Sequence, residues 1–231
     1  MNKFSQFRSG SFAAGTVFIL LLTLSGLNSC SDGRPSAKKE QPVFSSQRDS
    51  TMLFDGKSLE GWEITNFGPQ GPVTVSGDQI ILGMGEGCTG ITWKRAFPRT
   101  DYEISLDAKR VAGTDFFCGL TFPVGKDPCS LIIGGWGGAT VGLSSIDGKD
   151  AAENETTSIR NFETNRWYHI RLAVTDRYVR AWIDTARVVN YTIGTKKLSI
   201  RPEVELSRPF GITSWYTTAA IRNIRLERIK N

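Results

Sequence analysis

Between Asp101 and Lys109 hydrophobic and polar positions alternate without a break. Tyr102, Ile104, Leu106 and Ala108 share one face, and Glu103, Ser105, Asp107 and Lys109 the other, as in a half-buried antiparallel strand. Residues 73–82 alternate around Gly77-Asp78 and predict a tight hairpin. Residues 116–122 and 130–135 predict a second pair of strands, turned at Gly125-Lys126. Residues 220–229 predict a final strand with Ile224 and Leu226 inward. No segment after residue 50 holds a helical period of useful length, and Pro202 limits residues 196–206 to one turn. Many short strands between Gly, Pro and Asp turns predict an all-β sandwich or barrel.

The stretch 167–188 sets a register. A two-residue turn at Asp176-Arg177 puts Val174 opposite Val179, Leu172 opposite Ala181 and Ile170 opposite Ile183, all apolar and on one face. The other face pairs Arg171 with Trp182 and His169 with Asp184, beside Trp167. Arg171 over Trp182 is a cation–π arrangement, and an imidazole oriented by a carboxylate suits base catalysis. Ordinary cross-strand pairs on a solvated face, worth about 0.2–1 kcal/mol each, account for the same residues.

The chain's first thirty residues have a different pattern. Lys3 and Arg8 precede an uncharged apolar run, residues 13–24, too short for a membrane span. Leu27-Asn28-Ser29-Cys30 follows and resembles a bacterial lipobox, whose cysteine is lipidated and becomes the first residue. The expectation is a lipoprotein signal peptide at 1–29 and a lipid anchor at Cys30. The exported protein would then sit at the cell envelope, on the outer membrane or the periplasmic face. Residues 30–50 are rich in Ser, Lys and Arg with little to bury, and predict a flexible tether. Residues 51–231 then form the folded domain, enough for one core burying about 70 % of its unfolded surface.

With 39 % hydrophobic and 22 % charged residues, the composition is that of a globular protein. The net charge of +5 falls to about +3 once Lys3 and Arg8 are removed, and no dense basic stripe exists, so a nucleic-acid partner is not expected. Beyond Cys30 the cysteines are Cys88, Cys118 and Cys129. The turn at 125–126 places Cys129 opposite Phe122 and Cys118 opposite Ile133, an offset of about 13 Å along the strand. A disulfide needs Cα atoms within about 7 Å, so none is expected between them. The absence of C-x-x-C excludes zinc-knuckle and thioredoxin chemistry, and the single histidine excludes a three-His zinc site. A divalent cation at an all-oxygen site stays open.

Residues Leu53-Phe54-Asp55-Gly56-Lys57-Ser58-Leu59-Glu60-Gly61-Trp62 closely resemble the opening motif of the 3-keto-disaccharide hydrolase family, also called 3-keto-alpha-glucoside 1,2-lyase/3-keto-2-hydroxy-glucal hydratase. Gly211-Ile212 with Ile221-Arg222-Asn223-Ile224-Arg225-Leu226 resembles its closing motif, and residues 167–184 look like its middle landmark. The resemblance spans residues 51–231. It implies a concanavalin A-like, laminin-G-like jelly roll of two antiparallel sheets with a concave face that meets carbohydrate. It also implies attack on 3-keto-glycosides, by removal of the C2 proton and elimination of the glycosidic oxygen. The family's mid-domain Gln-x-Glu strand and its His/Asp-bearing late turn are not matched. Here residues 131–138 and 213–218 carry neither carboxylate nor histidine.

Either the acid comes from elsewhere in the chain or this chemistry is lost. Candidate bases are His169 with Asp184, or Asp115, Asp147, Glu153 and Glu155, with Arg160 or Arg171 as the electrophile. Glu153 and Glu155 flank Asn154; in an extended segment they point the same way, to bind a hard cation or raise one acid's pKa. A solvated polar loop over residues 148–158 explains them equally. Trp136, between Gly134-Gly135 and Gly137-Gly138, reads as a sugar-stacking platform or as a core tryptophan at a tight crossing. The expectation is that Trp136 and the 148–158 loop meet the ligand, with Arg171, Trp182 and Trp215 as further contacts. The Glu-x-Asp-x-x-Glu pattern of retaining glycosidases is missing. Two alternatives to an enzyme remain: a glycan-binding sandwich without catalysis, and a structural lipoprotein domain.

Overall fold

The computed structural model describes residues 49–230. The expected signal peptide, Cys30 and residues 31–48 of the expected tether lie outside them. Among the described residues the strands are β1 (Ser50–Met52), β2 (Trp62–Ile64), β3 (Val73–Ser76), β4 (Gln79–Leu82), β5 (Cys88–Trp93), β6 (Tyr102–Gly113), β7 (Cys118–Val124), β8 (Asp127–Gly135), β9 (Thr140–Ser144), β10 (Ser158–Ile159), β11 (Tyr168–Val174), β12 (Tyr178–Ile183), β13 (Ala186–Thr192), β14 (Gly211–Trp215) and β15 (Thr217–Arg228). They form two sheets. Sheet A runs β13-β12-β11-β6-β15-β4-β3, with β1 also on β15; sheet B runs β10-β9-β8-β7-β14-β5-β2. Every pairing is antiparallel. The fold is a two-sheet sandwich, one of the two all-β architectures that the alternation predicts and the one that the resemblance implies.

The alternating residues become the core. Tyr102, Ile104, Leu106 and Ala108 of β6 are fully buried, as are Ile170, Leu172 and Val174 of β11. They face Leu120 and Phe122 of β7 and Leu131 and Ile133 of β8. Each fully buried aliphatic or aromatic side chain contributes about 1.5–3 kcal/mol. The β11–β12 register is the one the turn at 176–177 predicts, with Ile170 on Ile183, Leu172 on Ala181 and Val174 on Val179. Cys129 pairs with Phe122 and Cys118 with Ile133, as expected from the turn at 125–126. Two polar atoms on buried core rings are bonded: Trp62 Nε1 donates to Leu53 O at 2.7 Å, and Tyr102 Oη to Pro123 O at 2.7 Å.

Two local expectations are corrected. Pro202 starts a 3₁₀ helix, Pro202–Ser207, instead of ending a turn. Its fixed φ suits the first helical position, where the missing N–H costs nothing. Residues 151–156 form turns, not an extended segment, so Glu153 and Glu155 do not share a strand face. Asn154 is the reason. Its Nδ2 donates to Leu143 O at 2.7 Å, Asp150 O at 2.8 Å and Lys149 O at 3.1 Å, while its Oδ1 accepts from Thr156 N and Oγ1.

Sheet B is covered on both sides. Its outer face carries small residues, among them Gly119, Thr121, Ser130, Gly142, Ser144, Gly211 and Thr213, so other segments approach closely. Ala151 packs over Gly142, and Ser207 lies where a Cβ on Gly211 would come within 2.6 Å. The loop after β9 therefore covers one part of this face and the 3₁₀ segment another.

Candidate functional site

The space left between those two covers is a cleft of about 240 Å³. Its floor is Cys88 of β5, Ser130 and Ile132 of β8 and Ser144 of β9. These residues face outward because they alternate with core residues such as Leu131, Ile133 and Leu143. One wall carries Asp115, Phe116, Trp136 and Trp215, and the 3₁₀ segment brings Arg201, Glu203 and Val204.

The aromatic wall is built from strand ends. Trp136 follows the last residue of β8 in a left-handed backbone conformation (φ 49°) with 45 % of its surface exposed. That conformation is a strained one for a bulky residue and persists where the surroundings hold it, commonly at ligand sites. Phe116 and Trp215 stack with centroids 6.5 Å apart, and Tyr216 meets Trp215 edge-on at 5.2 Å. Asp115 ties the wall together: its Oδ1 accepts Phe116 N–H at 2.7 Å and its Oδ2 accepts Gly137 N–H at 3.2 Å.

The polar wall is an ion cluster. Arg201 donates from Nη2 to Glu203 Oε1 at 2.7 Å and from Nη1 to Asp150 Oδ2. Asp150 Oδ1 accepts from the hydroxyls of Ser144 at 3.2 Å and Ser145 at 3.1 Å. The Arg201 guanidinium holds the Glu203 carboxyl below the usual glutamate range. Burial, helped by the charge of Glu203, pushes the Cys88 thiol up to about 12. Flat rings beside carboxylates and hydroxyls can stack on the C–H face of a sugar and bind its hydroxyls.

Of the residues singled out by sequence, Trp136 and Trp215 line this cleft. The 148–158 loop reaches it through Asp150. Glu153 is exposed, and Glu155 pairs with Lys196 at 2.7 Å. Asp147 accepts the Lys197 N–H at 2.7 Å. The remaining candidates lie by sheet A. Arg171 is bidentate to Glu103, at 2.8 Å twice, and stacks over Trp182 at 4.8 Å, the cation–π contact expected. His169 and Asp184 are neighbours across the strands, but the imidazole is bonded to Asp107, while Asp184 takes Arg160 at 3.5 Å and Arg166 at 3.2 Å. The candidates are thus divided between two faces of the sandwich, with Trp136, Trp215 and Asp115 at the cleft and Arg171, Trp182, His169 and Asp184 on sheet A. Among the described residues no group of three or more His, Cys, Asp and Glu is arranged to hold a metal ion.

Arg201, Glu203, Asp150, Phe116 and the floor serines have no sequence motif. They meet only because β9, β14 and the 3₁₀ segment converge, so no local spacing marks them. Asp115 was readable as an acid, though not its place beside Trp136.

Residues 49–227 match a family described as the 3-keto-alpha-glucoside-1,2-lyase-like domain. No curated protein matches the chain. Among solved structures, a protein of unknown function with a galectin-like fold from Bacillus subtilis is similar at 11 % identity and TM-score 0.56, over 79 % of this chain and 96 % of that one. The VIP36 exoplasmic/lumenal domain, in its Ca²⁺/Man3GlcNAc-bound form, is similar at 12 % identity and TM-score 0.56, over 79 % and 89 %. The Crh5 transglycosylase in complex with NAG is similar at 14 % identity and TM-score 0.53, over 79 % and 84 %. At such identities the likeness establishes the fold: a galectin-like, concanavalin-like sandwich.

Proposed function

The chain belongs to the 3-keto-alpha-glucoside-1,2-lyase-like domain family, and from that premise we propose that its sheet B cleft binds a 3-keto-glycoside and cleaves it by elimination. The observation that carries this reading is the meeting of Trp136 and Trp215 with Asp115 and Arg201 in one cleft. The rings hold the sugar by its apolar face. The C3 ketone acidifies the C2 proton, and Asp115, each of whose oxygens keeps a lone pair free, takes it. The electron pair of the C–H bond forms an enolate, whose oxyanion Arg201 neutralises. The C1–O bond then breaks, and the leaving oxygen takes the proton back from Asp115, giving an alcohol and a 3-keto-2-hydroxy-glucal. Glu203, held ionised by Arg201, is a poor proton donor, which leaves the acid step to Asp115. In the same reading the exported domain stays at the cell envelope through a lipid on Cys30.

The test is incubation of the protein with a 3-keto-glucoside, followed by detection of the glucal. Asp115→Asn is expected to lower kcat by about 10²–10⁴ while glycan binding persists. Absence of product from the wild type overturns the elimination. A second reading, glycan binding without turnover, is favoured by one observation: Arg201 is already engaged by two carboxylates. Saturable glycan binding with no product would assign it.

A further inference from the structure

The last inward position of the alternating run on β6 is a charge. Arg110 follows Tyr102, Ile104, Leu106 and Ala108 in phase and is only 6 % exposed. Its guanidinium lies 5.2 Å from the Phe117 ring. Among the described residues no carboxylate oxygen bonds it. Its Nη2 instead points among three backbone carbonyls, Gly138 O at 3.0 Å, Asp115 O at 3.1 Å and Gly134 O at 3.3 Å, and its Nη1 reaches Phe162 O at 3.5 Å. Gly134 and Gly138 bracket Trp136 in the chain. A Cβ on Gly134 would stand 2.7 Å from Nη2, so the turn closes directly on the cation. Burial lowers the guanidinium's pKa, offset only in part by the charge of Asp115, and a buried cation with no carboxylate bonded to it is a poor choice if stability alone is at stake.

We propose that Arg110 is the positioning residue of the cleft. From beneath, it locks the Trp136 turn and the backbone of Asp115 into one rigid unit, so that the sugar platform and the base keep a fixed relation. This deepens the glycoside reading of the cleft and rests on it. Strand ladders hold this unit only at its edge: Gly135, paired with Thr140, ends β8, whereas Trp136–Gly138 lie beyond it and Asp115 lies before β7, its N–H on Thr217 Oγ1 at 3.1 Å. A planar, forked donor set can serve carbonyls from separate segments at once, which an ammonium or an apolar side chain cannot do in the same geometry. Arg110 touches no substrate; it acts through Trp136 and Asp115.

Two variants and two readouts test this. Arg110→Lys keeps the charge and loses the fork. On a 3-keto-glucoside it is expected to raise KM and lower kcat together, each about tenfold, since misplacing reacting groups by about 1 Å costs up to about a hundredfold. Arg110→Ala is expected to lose more and to regain part of its kcat in millimolar guanidinium, whereas Asp115→Asn regains none. A side chain needed only for stability would lower Tm and leave KM and the rescue unmoved. The second readout does not depend on turnover: the Trp136 indole N–H resonance, assigned with Trp136→Phe, should shift or broaden in Arg110→Lys. Kinetics within twofold of wild type for Arg110→Lys, or an unchanged Trp136 resonance, overturns the proposal. If the wild type neither binds nor cleaves glycosides, the cleft reading fails, and the resonance still decides whether Arg110 holds the turn.

Discussion

His169 Nδ1 lies 2.8 Å from Asp107 Oδ1, across the β11–β6 pairing instead of the β11–β12 pairing. Asp184 does stand opposite His169, and its N–H donates to His169 O at 2.7 Å. Its Oδ1, however, accepts the backbone N–H of His169 at 3.1 Å. That carboxylate is occupied by backbone and arginines, so the imidazole turns to the neighbouring strand. The pair sits on the sheet opposite the cleft, with His169 half exposed. His169→Ala is expected to leave turnover and glycan binding within about twofold and to cost about 0.2–1 kcal/mol of stability, the range of a cross-strand pair. Steady-state kinetics and urea denaturation check both. A tenfold loss of turnover would move the active site to sheet A.

Asn154, and not the glutamates beside it, is the residue of the 148–158 loop on which the fold depends. It is buried and joins Leu143, Lys149 and Asp150 to Thr156. Asn154→Ala leaves several of these groups unpaired and should cost about 2–3 kcal/mol. Glu153→Gln and Glu155→Gln should change stability by less than about 0.5 kcal/mol and leave turnover intact. Loss of turnover in either glutamine variant, at unchanged stability, would place the acid in this loop.

What could be read from sequence followed the reach of each signal. Period-two alternation is local, so β6, the β3–β4 hairpin and the β11–β12 register were legible residue by residue. Both faces of β7, β8 and β9 are buried, and their outer face of Gly, Ser and Thr carries no alternation contrast. The 148–158 loop was legible as a candidate, but how it and the 3₁₀ segment leave a cleft over this face was not. Trp136 was legible because a tryptophan between two Gly-Gly pairs has few explanations. Arg201 was not, because Asp150 meets it only through the path of the loop after β9, and Glu203, two residues on, makes no motif with it. Arg110 left a trace that went unread, a charge in the inward phase of β6. That Glu153 and Glu155 do not share a strand face was not legible, because the segment is a set of turns built around Asn154.

The Arg201–Glu203 pair predicts how stability depends on pH. Glu203's folded-state pKa is lowered from 4.5 by its bond to Arg201. A carboxyl of that kind contributes stability that is complete above its unfolded pKa and is lost as pH falls through the lowered folded value. The pair is partly exposed, with side chains 46 % and 40 % accessible, so its worth is that of a surface pair, about 0.2–1 kcal/mol. Glu203→Gln should flatten the unfolding free energy between about pH 5 and pH 3 and change little at pH 7 beyond the pair itself. Chemical denaturation across that range is the measurement. A Glu203→Gln curve that kept the wild-type slope would show that the ion pair is not formed in solution.

The thiols give a last prediction, one that reaches both the cleft and the anchor. Cys88, Cys118 and Cys129 are buried and free of disulfides. Burial pushes Cys88 and Cys129 up to about 12, and Cys118 higher still. The thiolate is the nucleophile, and a thiol at that value is ionised to about one part in ten thousand at pH 8. The native protein should therefore give no fast reaction with a disulfide reagent at pH 8. In denaturant the chain should show three thiols where Cys30 carries a lipid and four where it is present and free; mass spectrometry of the N-terminus identifies which. Cys30→Ser should show three thiols and leave the membrane fraction. Cys88 is the informative member, because it forms the cleft floor beside Glu203. If Cys88 alone labels quickly in the native state, its thiol is ionised in spite of Glu203, and the floor of the cleft admits reagent from solvent. A bound glycoside should then slow that labelling; labelling that no glycoside slows would argue that sugars do not enter this cleft.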